Sequence, residues 1–101
     1  MDFDYFKDQI CEELDGSIAY IKHALEIKAM SPSWAKTLVD MSEAEMNHAK
    51  NLYKMFEEYY AKVSEKYDTV PKYIESYMAD ISECYSEKVM KIDHLHKMYN
   101  M

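Results

Sequence analysis

The chain has 101 residues, 49% of them hydrophobic, and carries a formal net charge of −7. That length allows one domain with a modest core, and that apolar content excludes a disordered chain. All 12 basic residues are Lys, so bidentate Arg contacts to phosphate or guanine are excluded, and nucleic acid is not an expected partner.

A single Gly and two Pro leave little turn punctuation, and strand-like alternation is absent. The sequence therefore predicts an all-α fold of three long antiparallel helices, over residues 2–30, 32–66 and 71–100. No apolar run approaches the ~20 residues needed to span a bilayer, so a membrane is not an expected partner. The acidic N-terminal stretch from Met1 to Asp8 is neither a signal nor a transit peptide. A cytoplasmic location is expected, or packaging inside a protein compartment. Cys11 and Cys84 are far apart in sequence without metal-type spacing, and read as reduced thiols packed as small apolar groups.

The first helix has one seam through Phe3, Phe6, Ile10, Glu13, Ser17, Tyr20, Ala24 and Ile27, with Cys11, Leu14, Ile18, Ile21 and Leu25 beside it. Glu13 is an ionisable group in an apolar stripe. Gly16 interrupts the helix at about 1 kcal/mol relative to Ala and marks a place for close helix approach. Ser31-Pro32-Ser33 closes this helix and opens the next, with Ser31 as cap and Pro32 at the first helical position.

The second helix carries Trp34, Leu38, Met41, Glu45, His48, Leu52, Met55 and Tyr59 at heptad-type spacing. A parallel stripe runs Ala35, Val39, Ser42, Met46, Ala49, Tyr53, Phe56, Tyr60 and Val63. Two stripes predict contacts on two sides and make this the central helix. Glu45 and His48 interrupt the first stripe one turn apart, and burying them costs several kcal/mol unless something pairs with them. After a break at Asp68-Thr69-Val70-Pro71, with Asp68 or Thr69 as cap, the third helix carries Ile74, Met78, Ile81, Tyr85, Val89, Ile92, Leu95 and Tyr99.

Short connections make successive helices antiparallel, which permits a register estimate. Glu13 lies about 17 positions before the first turn, while Glu45 and His48 lie about 14 and 17 after it. The offset between the two Glu is ~4.5 Å at 1.5 Å per residue. Glu13, Glu45 and His48 are thus expected to face one point between the first two helices. Across the second turn Glu45 comes level with residue 92, flanked by Asp93 and His96, which are possible additional ligands. A carboxylate and an imidazole three positions apart present oxygen and nitrogen to one side of a helix. Such donors suit Fe(II), Mn(II) or Zn(II), whereas calcium and magnesium prefer oxygen alone.

Glu13 followed by Glu45-x-x-His48 on an antiparallel helix resembles one half of the di-iron site of the ferritin-like superfamily. The likeness, over residues 10–60, is to the half-site of short encapsulated ferritins and rubrerythrin-like proteins. It implies a ferritin-like helical hairpin plus a third helix, completed to a four-helix bundle when two chains dimerise. The implied function is iron handling, with a ferroxidase site of two Fe shared between two chains. The implied partners are a second copy in a homodimer or higher homo-oligomer, and an enclosing protein shell. The chain departs from the pattern in having three helices and no second true Glu-x-x-His. Two completions follow: a second copy supplies the missing half, or Asp93 and His96 stand in for it. The alternative function is a metal-free helical scaffold or adaptor acting through its apolar faces.

Overall fold

A computed structural model describes residues 2–101. It contains α1 (Phe3–Ile27), α2 (Pro32–Ser64) and α3 (Lys72–Tyr99), with no strand among the described residues. The fold is all-α, as the missing alternation predicts. The three helices form an elongated body of 58 × 19 × 16 Å. Among the described residues no helix is long and apolar enough to cross a membrane.

Local chemistry sets the helix ends. Asp2 caps α1 by accepting a hydrogen bond from the Tyr5 amide at 2.9 Å. Residues 28–30 form a turn, in which the Met30 and Ser31 amides both bond to the Ile27 carbonyl. The regular helix thus stops three residues short of the predicted boundary, its last turn tightened by the three-residue bond from Met30 to Ile27. Ser31 caps α2 and Pro32 occupies its first turn, as expected. α3 differs. Pro71 stands at its N-cap with no side-chain hydrogen bond, so neither Asp68 nor Thr69 caps it.

Polar contacts fix the register. α1 and α2 are antiparallel, with Ser17 opposite Ser42 and Phe6 near Phe56 and Tyr59. α1 and α3 are parallel, because Asp4 meets Tyr77, Cys11 meets Cys84 and Asp15 meets Lys88, each pair 73 positions apart. The central helix is α1, which packs along both neighbours; α2 and α3 approach each other closely at few places. This corrects the expectation that α2 is central. Of its two stripes, the one through Ala35, Val39, Ser42, Met46, Ala49 and Phe56 is buried within the chain. The other stays at the edge, with Trp34 68%, Met41 39% and Met55 41% exposed.

The core has two parts. From the free end of the hairpin to beyond its middle, Phe3, Phe6, Ile10, Leu14, Met46, Ala49, Phe56, Ile74, Ile81 and Ile92 pack together. Near the first turn, Ile21, Ala24, Ala35 and Val39 form a smaller cluster. Small residues at Gly16, Ser17, Ala24, Ala35, Ser42 and Ala49 let α1 and α2 run close together. The closeness is visible where the Ser17 hydroxyl donates to the Ser42 carbonyl and the Ser42 hydroxyl to the Ser17 carbonyl, each at 2.8 Å.

Candidate metal centre

Midway along the α1–α2 seam, Glu13, Glu45 and His48 each offer one ligand atom, all within 4.8 Å of one another. Three turns of helix on each side hold them at that level. Glu13 and Glu45 are half-buried and His48 is exposed. His48 Nδ1 lies 3.4 Å from Glu13 Oε2, close enough for an ion pair if the ring is protonated. The contact is electrostatic and not a hydrogen bond. Glu13 Oε2 is buried and has no hydrogen-bond partner among the described residues. Native interiors rarely leave such an oxygen unpaired, because its desolvation is then uncompensated.

Gly16, one turn along α1 from Glu13, forms part of the bed on which Glu45 rests. A Cβ built on it would stand 3.5 Å from Glu45 Oε2 and 3.6 Å from its carboxyl carbon. The glycine thus leaves space beside one carboxylate, while the second carboxylate has an oxygen to spare. Two carboxylates this close also repel each other unless a cation lies between them. Orphaned oxygen, open cradle and mixed O/N donors all fit a carboxylate–imidazole metal site.

A family model described as Rubrerythrin matches residues 4–101. The chain belongs to the Rubrerythrin family. This is a ferritin-like di-iron family whose members typically bind iron and are often oligomeric. No curated protein and no solved structure gives a significant match.

In this Rubrerythrin-family chain Asp93 and His96 stand apart from the Glu13 group. The constant offset of 73 between α1 and α3 sets residue 89, not 92, level with Gly16 and Glu45, so Asp93 and His96 lie about one and two turns further along, and α3 packs on the far side of the hairpin. His96 Nε2 lies 2.9 Å from Ser42 Oγ. Because the Ser42 hydroxyl already donates to the Ser17 carbonyl, the assignment that satisfies all three groups has His96 Nε2–H donating to Ser42 Oγ. His96 therefore closes a polar network with two fully buried serines, Ser17 and Ser42. Asp93 is exposed at the wall of a shallow groove shared with Glu43, Asn47, Lys50 and His96. His23 and His94 are exposed too.

Sequence reading did not pair Cys11 with Cys84. Their sulfurs are 2.7 Å apart across the α1–α3 seam, and both thiols are half-buried. Burial, then the hydrogen bond with Cys11, pushes the Cys84 thiol up to about 11. One turn further on, Lys88 Nζ donates to Asp15 Oδ1 at 2.5 Å. Burial lowers the Lys88 ammonium most, but the Asp15 hydrogen bond and the attraction of Asp15 and the two thiols together outweigh it, and the net direction is upward. The only sequence signal for these pairs is the shared spacing of 73, visible once α1 and α3 are known to be parallel.

Proposed function

We propose that this Rubrerythrin-family chain handles iron as a ferroxidase, at a site shared between two copies of the chain. Glu13, Glu45 and His48 are the proposed ligands from each copy. The observation that carries the reading is the buried, unpartnered Oε2 of Glu13, facing a second carboxylate and an imidazole within 4.8 Å. One chain offers two carboxylates and one imidazole, half of the donor set that ferritin-like di-iron sites assemble from four helices. A twofold axis through the open side of the α1–α2 seam supplies the other half from the same residues. The exposed stripe of Trp34, Met41 and Met55 flanks that open side and gives such a pairing its apolar contact.

Bound iron supplies one-electron chemistry toward oxygen or peroxide. The chain's own contribution is to hold the cations and to keep water away from the inner face. Glu13, the more buried of the ion-pair partners, presents its free oxygen to the gap. Glu45 rests over Gly16, where the absence of a side chain leaves space beside its carboxylate, and it would hold a cation from the α2 side. His48 lies on the open rim, where a partner chain would cover it. The same donors accept Mn(II) or Zn(II), so activity separates the readings.

The test is aerobic oxidation of Fe(II), followed by the near-ultraviolet absorbance of Fe(III), with the iron content of protein loaded without chelator. The wild-type chain is expected to bind about one iron per chain, two per dimer, and to oxidise Fe(II) faster than protein-free buffer. Glu45→Ala is expected to do neither. Oxidation at the buffer rate, or undiminished oxidation in Glu45→Ala, overturns the proposal. A chain that binds no metal and is stabilised by Glu45→Leu acts instead as a helical scaffold.

A further inference from the structure

We propose that Cys11 and Cys84 form a reversible redox clamp, which hydrogen peroxide closes into an intrachain disulfide locking α3 to α1. Three observations carry this. The sulfurs face each other at 2.7 Å, so closure to a bond of about 2.05 Å needs only a small side-chain movement. Both cysteines lie well inside regular helices, and the seam is in register on both sides of them. Asp4 accepts from the Tyr77 hydroxyl two turns before, and Asp15 accepts from Lys88 one turn after. Both thiols are half-buried, and so within reach of a molecule as small as peroxide.

The clamp has a mechanical consequence. α3 is held chiefly by α1, since its close approach to α2 is limited. A bond between residues 11 and 84 therefore ties down the helix with the fewest alternatives. It also closes most of the chain into a loop, which restricts the unfolded state.

The chemistry balances with peroxide as the oxidant. One thiol gives up its proton and the resulting thiolate attacks a peroxide oxygen; an S–O bond forms, the O–O bond breaks, and the released hydroxide takes up that proton and leaves as water. The product is a sulfenic acid. The second sulfur then attacks the first; the S–S bond forms, the S–O bond breaks, and hydroxide leaves as water with the second thiol proton. Two thiols lose two electrons and one peroxide becomes two waters. A dithiol reductant returns both electrons and reopens the clamp. None of this requires iron, so the clamp and the proposed metal centre stand or fall separately.

The test treats the full reduced chain with equimolar hydrogen peroxide and then blocks free thiols with iodoacetamide. The expected product has lost two hydrogens, takes up no label, yields a Cys11–Cys84 cross-linked peptide and migrates as a monomer on a non-reducing gel. Its unfolding midpoint is expected to rise by about 10 °C and to fall back with dithiothreitol. Cys11→Ser and Cys84→Ser are each expected to keep the reduced wild-type midpoint within a few degrees and to show no rise with peroxide. Glu45→Ala is expected to close the clamp as the wild type does. Two thiols still labelled after peroxide, a linkage between chains, or a midpoint lowered by oxidation overturns the proposal.

Discussion

Glu13→Met separates what a carboxylate contributes to the fold from what it contributes to metal binding. In the metal-free chain Glu13 Oε2 is buried without a hydrogen-bond partner, and its side chain is only 24% exposed. Leaving a buried acceptor unsatisfied costs about 1–3 kcal/mol. The remaining exposure and the nearby His48 ring discount that figure, so the expected gain for an apolar side chain of similar length is about 1–2 kcal/mol. For a chain of this size that is a rise of about 5–15 °C in the metal-free unfolding midpoint. With Fe(II) at a hundred times its dissociation constant the wild type should gain about 2.7 kcal/mol, and Glu13→Met should gain nothing. Differential scanning calorimetry under anaerobic conditions, with and without Fe(II), measures both effects. A variant less stable than the metal-free wild type would show that Glu13 has a structural partner. A variant that keeps the iron-dependent rise would remove Glu13 from the site. Either result refutes the reasoning.

Further expectations concern the rest of the seam. Gly16→Ala places a methyl at ordinary contact distance from Glu45, so urea denaturation should show stability raised by about 0.5–1 kcal/mol. Ser42→Ala breaks the buried Ser17–Ser42–His96 network and should cost about 1–3 kcal/mol by the same measurement, with iron binding retained. Asp93→Asn should leave iron content unchanged, because Asp93 lies outside the Glu13 group. In the reduced chain Cys84 keeps its proton to about 11 in the folded state, whereas the unfolded thiol loses it near 9.0. The unfolded state then binds fewer protons, so stability falls as pH rises from about 9 to about 11. Urea midpoints across that window should fall more steeply for the wild type than for Cys84→Ser.

Much of this arrangement was legible in the sequence because helical period and short loops are strong constraints. Counting outward from Ser31-Pro32 placed Glu13 level with His48 and one turn from Glu45, the level at which they meet. Counting across the second turn placed residue 92 at the height of Glu45, whereas the offset of 73 between α1 and α3 puts residue 89 there. Height is only one coordinate. Which side of the hairpin α3 occupies depends on packing the whole α1 surface, so Asp93 and His96, one to two turns beyond the level of Glu45, also face elsewhere. The same missing coordinate concealed which stripe of α2 is buried. Ser42, Met46 and Ala49 go inside because small residues let α1 come close there. Trp34, Met41 and Met55 remain outside. The Cys11–Cys84 contact joins helices that are not consecutive, and no local pattern announces it.

Diffraction at the iron absorption edge from crystals of the Fe(II)-loaded protein tests the central claim most directly. Two iron peaks per pair of chains are predicted, at a twofold axis and bounded by Glu13, Glu45 and His48 from both copies. Iron found instead in the groove beside Asp93 and His96, or no ordered iron between the α1–α2 seams, would contradict it.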